Sequence, residues 1–220
     1  MLKMRNYFSL NYLKSIGVKM HGNNIKISKL ARIYNPSSLV LHDNIRIDDF
    51  TILSGRGNIE IGNYVHVGSQ CSISSHSTIK LCDYTGISSG VKLFGGSDDF
   101  SGKFMTGPLI PSKFIRITHG DIILNKHVIV GAGSIILPNV ILAEGTAVGS
   151  LSLVTKNTEE WKIYAGNPAK IIKNRDKKCL DYEKCLDYEK MIELNMNDVE
   201  IKNRFLALPQ SVRDAMIKKI

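Results

Sequence analysis

Through much of this chain, one aliphatic side chain follows another at a spacing of six residues. Leu124, Val130, Ile136, Leu142, Val148 and Val154 keep that beat without a miss. It appears earlier as Leu41, Ile47, Leu53, then Ile61, Val67, Ile73, Ile79, then Leu81, Ile87, Leu93, with two-residue shifts of register between the groups. A Gly or a small or acidic residue often follows, as at Gly62, Gly68, Gly131, Gly149 and Asp48. On an α-helix, at about 100° per residue, six residues leave successive side chains about 120° out of line, and an alternating strand has a period of two. The beat suits a solenoid of flat parallel faces, each with an aliphatic residue directed at the axis and a tight corner where Gly or Asn takes a positive φ. Such coils bury their inward residues only by stacking on one another.

The flanks lack the beat. Ser9 is a predicted N-cap for a short helix through Asn11 to Ile16, closed by Gly17, that plugs one end of the stack. After Lys173 the composition turns to Lys, Asp, Glu, Met and Leu, and two helices are expected, at about 177–194 and 198–218, with Pro209 interrupting the second. KCLDYE occurs twice in tandem there, but a six-residue step on a helix builds no continuous stripe. The predicted organisation is therefore a cap at 1–22, a β-helix at 23–175 and a helical extension at 176–220.

A hydrophobic fraction of 43% in 220 residues supports a globular core. No apolar run reaches membrane-spanning length and no leader pattern opens the chain, so a cytoplasmic location without membrane insertion is expected. Cys71, Cys82, Cys179 and Cys185 form no C-x-x-C pair and no zinc-spaced cluster, and neither a disulfide framework nor a metal site is expected. The net charge of +9 fits a phosphate-rich small ligand as well as a solvated face. Nucleic acid is disfavoured, because no basic stripe is interleaved with aromatics. No G-x-G-x-x-G or P-loop motif is present.

The beat breaks at one place. Counting six from Leu93 lands on Asp99, and burying an unpaired carboxylate among aliphatic side chains is costly. The chain must leave the coil, and Gly95 and Gly96 permit the exit. The resulting excursion, about 97–121, carries GPLIP and has Phe100, Phe104 and Phe114 available to pack it into an ordered loop. The carboxylate pair Asp98 and Asp99 stands at its start. A second pair, Asp48 and Asp49, directly follows inward Ile47, so at least one of the two points outward. His66, His76, His119 and His127 are expected to be outward surface residues, with His66 and His76 as reserve candidates for a base.

The stretch GAGSIILPNVILAEGTAVGSLSLVTKN at 131–157 and YAGNPAKIIK at 164–173 resemble the hexapeptide-repeat acyltransferases, which implies an all-β fold, a left-handed parallel β-helix. YFSLNYLKSIG, NIRIDDF and SDDFSG are similar to enzymes that acetylate an amino group on a dTDP-linked dideoxy sugar. The resemblance implies acetyl-CoA as donor, a homotrimer, and an excursion that reaches over the next subunit to wall an active site at the interface. Its sugar O-acetyltransferases carry a base histidine near the place of Asp98. The chain departs from them there, and an amine acceptor explains the departure. A hydroxyl needs a base near neutrality, whereas an amine of pKa about 8 is roughly one tenth free at pH 7. Asp98 or Asp99 would orient the ammonium and accept its proton. Asp48 and Asp49, with His66 and His76, are candidates for the nucleotide-sugar side. Gly131, Ala132, Gly149 and Ser150 would let the pantetheine arm approach the backbone, and Lys156, Lys170 and Lys173 would meet the CoA phosphates. An O-acetyltransferase, and a scaffold without chemistry, remain the alternatives.

Overall fold

The computed structural model describes residues 6–193, 198–210 and 212–213. It forms two compact units, residues 1–175 and 176–220.

The first unit is a parallel β-helix with three faces. The first face stacks Lys19–Met20, Leu39–Leu41, Asn58–Ile61, Thr78–Leu81, Ile122–Leu124 and Val140–Leu142. The second stacks Ile25–Ile27, Ile45–Ile47, His66–Val67, Gly86–Ile87, Ile129–Val130, Ala147–Val148 and Lys162–Ala165, and ends on the antiparallel strand Lys170–Asn174. The third stacks Arg32–Ile33, Ile52–Gly55, Ser72–Ser75, Lys92–Phe94, Ile135–Ile136 and Leu153–Val154. The beat of six is the walk from face to face. Leu41, Ile61, Leu81, Leu124 and Leu142 form one inward column, Ile47, Val67, Ile87, Val130 and Val148 a second, and Leu53, Ile73, Leu93, Ile136 and Val154 the third; each of these is at most 3% exposed. Each such side chain contributes about 1.5–3 kcal/mol on burial.

The register shifts have a physical cause at the edge between the third and first faces. Early coils repeat every 20 residues (Leu41 to Ile61) and later ones every 18 (Leu124 to Leu142). The additional residues widen that edge at 55–57 and 75–77. There the Ser75 hydroxyl donates to the Asn58 carbonyl at 2.9 Å, and Gly55 lies so close that a Cβ would stand 1.8 Å from the Ser75 oxygen.

The excursion leaves from the same edge. The Gly120 N–H donates to the Gly95 carbonyl at 3.1 Å and closes the neck, above which Gly96–Asp98 pairs antiparallel with Ile117–His119. The three phenylalanines do not bury one another. Phe100 is 93% exposed, because a two-stranded ribbon has no second layer to cover it, while Lys113 and Arg116 lie over the rings of Phe114 and Phe104.

At the start, the Ser9 hydroxyl accepts from the Tyr12 N–H at 3.2 Å and opens α1 (Leu10–Ser15), whose Leu13 is fully buried. Ahead of it, Phe8 donates to Ile27 and Lys29 to Asn6, so residues 6–8 lie beside the first coil. The second unit holds α2 (Cys179–Glu193) and α3 (Asp198–Leu206), with the rings of Tyr188 and Phe205 5.2 Å apart. α3 ends before Pro209; the expected continuation to 218 falls partly outside the described residues.

Candidate functional site

Each pair of faces meets in an edge, and the three edges differ in chemistry. Between the first and second faces, residues with φ near +60° carry rings that stack from coil to coil: Tyr64 on Tyr84 at 5.3 Å, and Tyr84 on His127 at 5.1 Å. His127 is 8% exposed, so the expectation of a surface histidine is corrected; the left-handed corner turns its ring along the axis, into the stack. Trp161 continues the series 6.0 Å from His127, and Arg175 lies over Trp161 while donating to the carbonyls of His127 and Gly145.

Between the second and third faces the edge is made of small residues. Backbone N–H groups of Asp48, Gly68, Ser88, Gly131 and Gly149 each donate to the next coil, which aligns them in one column. Ala165 stands against Gly149 and pairs with Lys170, which extends the column to a cation. Asp49, Ser69, Ser89, Ala132 and Ser150 form a second column beside it. Six coil steps of about 4.8 Å separate Asp48 from Lys170 by roughly 29 Å. Gly131, Ala132, Gly149, Ser150 and Lys170 are thus brought together. Lys173 lies near, paired with Ile163 on the second face, but Lys156 does not join them. It follows the last strand of the third face, where Asn157 accepts from the Ile141 N–H of the first face. The glycines at 131 and 149 also have a cause inside the chain: a Cβ would stand 2.5 Å from the Ser150 nitrogen and 3.0 Å from the Ala165 Cβ, respectively.

At the acidic end, both oxygens of Asp48 are engaged, with Arg46 Nε at 2.6 Å and His66 Nε2 at 2.8 Å. Burial pushes this carboxyl up, but the hydrogen bonds from His66 and Arg46 outweigh it and hold it below its ordinary value. Asp49 accepts from the Ser28 hydroxyl. A cleft of about 390 Å³ opens here, lined by Tyr7, Arg46, Asp48, Asp49 and Ser69. Arg46 and Tyr7 sit inside NIRIDDF and YFSLNYLKSIG, but their spacing carried no signal of a place at the site. Ser88 and Ser89 did: they occupy the same places after Ile87 that Gly131 and Ala132 occupy after Val130.

The third edge carries the excursion, and it separates the other carboxylate pair. Asp99 accepts from the Ser101 hydroxyl at 2.7 Å and from the N–H groups of Ser101, Lys103 and Phe104; these bonds, led by Ser101, hold its carboxyl below the ordinary value. Asp98 is exposed and its carboxylate has no hydrogen bond among the described residues. A Cβ on Gly96 would stand 2.6 Å from His76 Nδ1, so His76 lies on the ribbon side shared by Gly96 and Asp98. His119, opposite Gly96, projects from that side too. The return strand is held by Asp121, which accepts from the Ser77 hydroxyl at 2.6 Å and the Thr78 N–H at 2.9 Å.

This geometry has close counterparts. No protein-family model matches the chain. The dTDP-4-amino-4,6-dideoxy-D-glucose acyltransferase of Escherichia coli is 41% identical over 172 residues, 78% of this chain and 90% of its own length. This chain is a member of that acyltransferase family. A solved member, the N-acyltransferase AntD from Bacillus cereus in complex with dTDP and 3-hydroxybutyryl-CoA, superposes with a TM-score of 0.79 at 40% identity, covering 87% of this chain and all of AntD. AntD with one serine replaced by alanine, in complex with dTDP-4-amino-4,6-dideoxyglucose and coenzyme A, gives the same TM-score over 83% of this chain.

Proposed function

We propose that this protein transfers an acetyl group from acetyl-CoA to the amine of dTDP-4-amino-4,6-dideoxyglucose. The observation that carries the reading is the small-residue edge, a bare strip with carboxylates and Arg46 at one end and Lys170 at the other. The pantetheine arm lies along it, its amides against the backbone at Gly131, Ala132, Gly149 and Ser150. Lys170 and Lys173 meet the CoA phosphates at one end; Lys156 joins them only from a neighbouring copy. The dTDP moiety takes the cleft at Tyr7, Arg46 and Ser69, where Asp48 aims Arg46 and His66, and Asp49 fixes the wall through Ser28.

Asp98 meets the ammonium of the sugar, orients it and accepts its proton. Asp99 positions Asp98, since its own oxygens are taken up by the loop, and His76 lines the substrate side of the ribbon. The free amine attacks the thioester carbonyl, a C–N bond forms, the C–S bond breaks, and the CoA thiolate leaves and takes up the proton released from nitrogen. A backbone N–H or small side chain of the edge steadies the oxyanion.

Within one chain the small-residue edge and the excursion flank opposite margins of the third face. The two halves of the site meet when neighbouring copies pack, which supports a homotrimer with the exposed Phe100 and Leu109 reaching across to the next subunit. We assign the enzyme to the cytoplasm and to sugar building for surface polysaccharide such as O-antigen. His66, gripped by Asp48, is the group a sugar O-acetyltransferase would use as base.

The test is CoA release with the 4-amino sugar nucleotide, beside its 4-hydroxy counterpart, with Asp98→Asn in parallel. Turnover with only the amine, lowered about 100-fold or more in the variant, is expected. Turnover with the hydroxyl sugar alone would transfer the chemistry to His66, and turnover with neither would remove the acceptor assignment.

A further inference from the structure

We propose that a hollow at Gly86 receives the acyl chain and that this glycine sets the length of acyl group transferred; the inference rests on the acyl-CoA reading of the small-residue edge. Of the eighteen glycines in the chain, seventeen have a cause within it, either a positive φ or neighbouring atoms within 4 Å of where a Cβ would stand. Gly86 has neither. Its backbone is ordinary strand, with its N–H donating to the Val128 carbonyl at 3.0 Å and its register set by His66 and Ile129. A strand glycine packs nothing and weakens the strand, and without an internal cause it marks a place where something from outside comes close.

The hollow has walls and an address. His66 stands one coil to one side, fixed by Asp48, and Ile129 one coil to the other, 46% exposed and apolar. The flanking strands are about 10 Å apart, two coil spacings, which admits an alkyl chain lying against the Gly86 backbone. Two residues on, Ser88 is the edge residue two coil steps from Asp48 and four, about 19 Å, from Lys170, so an acyl thioester at the level of Ser88 has its acyl carbons beside the hollow. On the other side of Ser88, the φ of +75° at Gly90 accounts for that glycine by itself. AntD, crystallised with 3-hydroxybutyryl-CoA, shows that a four-carbon acyl group occurs in this family. The open floor at Gly86 gives this chain room for acyl groups longer than acetyl, and a side chain there removes that room.

The experiment compares kcat/KM for butyryl-CoA and acetyl-CoA, using the full chain and the 4-amino sugar nucleotide, in the wild type, Gly86→Ala and Gly86→Val. The expected result is a butyryl-to-acetyl ratio that falls about tenfold or more in Gly86→Ala and further in Gly86→Val, the discrimination one methyl group achieves in a fitted slot. An unchanged ratio overturns the proposal. So does an equal loss for both donors, or a change of oligomeric size on gel filtration, since the glycine then serves the fold or a second copy. If no donor reacts with this acceptor, equilibrium binding of butyryl-CoA and acetyl-CoA to the same three proteins reads the hollow alone. A shifted affinity ratio then supports the proposal, and an unshifted one overturns it, independently of the acceptor.

Discussion

The aromatic edge and the small-residue edge are built by the same coils in the same register, yet one is filled by the chain itself and the other is left bare. Along the aromatic edge, the rings of Tyr64, Tyr84 and His127 cover one another, and Arg175 clamps the end by donating to the backbone carbonyls of His127, Gly145 and Thr146. Along the small-residue edge nothing larger than serine occupies the first column between Asp48 and Lys170. A repeat of identical geometry thus divides its labour between edges: one supplies stacking and rigidity, the other leaves backbone accessible over about 29 Å. Substitutions should act on stability along the first and on ligand affinity along the second.

The largest expected effect tests the filled edge. In Gly145→Ala a Cβ would stand 2.3 Å from the Trp161 ring. The φ of +67° matters less, since Tyr64, Tyr84 and His127 hold φ near +60° at the equivalent corners. Overpacking of this kind costs about 3 kcal/mol, and calorimetry should find the melting temperature lowered by about 6–12 °C. Arg175→Ala follows, removing charged hydrogen bonds to carbonyls and the cover over Trp161; a loss of about 2 kcal/mol is expected in urea unfolding. A fall as large from an edit on the bare edge, away from its stacked glycines, would erase the distinction.

Ser150→Phe is that edit. It should leave urea stability within about 0.5 kcal/mol and raise the KM for acetyl-CoA about tenfold, read by titrating the donor at saturating sugar. The smallest effect concerns pH. Hydrogen bonds from His66 and Arg46 hold the folded Asp48 carboxyl below its ordinary value, so the stability it adds is present above about pH 4 and is lost as pH falls through the folded value. With side-chain exposures of 57% at Arg46 and 54% at His66, solvent screens the pairs, and Asp48→Asn should cost less than about 1 kcal/mol at pH 7. Between pH 5 and pH 3, urea titrations of the two proteins should converge.

Much of the architecture was legible because its cause is local and periodic. An inward aliphatic residue every six positions admits only a stack of short parallel strands, and Asp99 on that beat forces an exit that the structure makes at Gly95. The two-residue register shifts were equally visible, and their cause is the wider turn at Gly55 and Ser75. The small-residue edge was half legible: Gly131, Ala132, Gly149 and Ser150 lie in a stretch whose resemblance marks it, while Ser88 and Ser89, in equivalent places, lie in no such stretch.

What the sequence determined by itself was the number and spacing of coils, the place of the excursion and the residue types at each corner, because one residue's burial decides each of these. What only the tertiary structure decided was which of these residues meet. It aligned Asp48 with Lys170 across residues far apart in the chain, turned His127 from the surface into a stack, and separated Asp98, left open, from Asp99, which its own loop occupies. The physical reason is that neighbours across a solenoid are set by stacking between coils, and no local pattern records which side chain, or which absence of one, lies on the coil above.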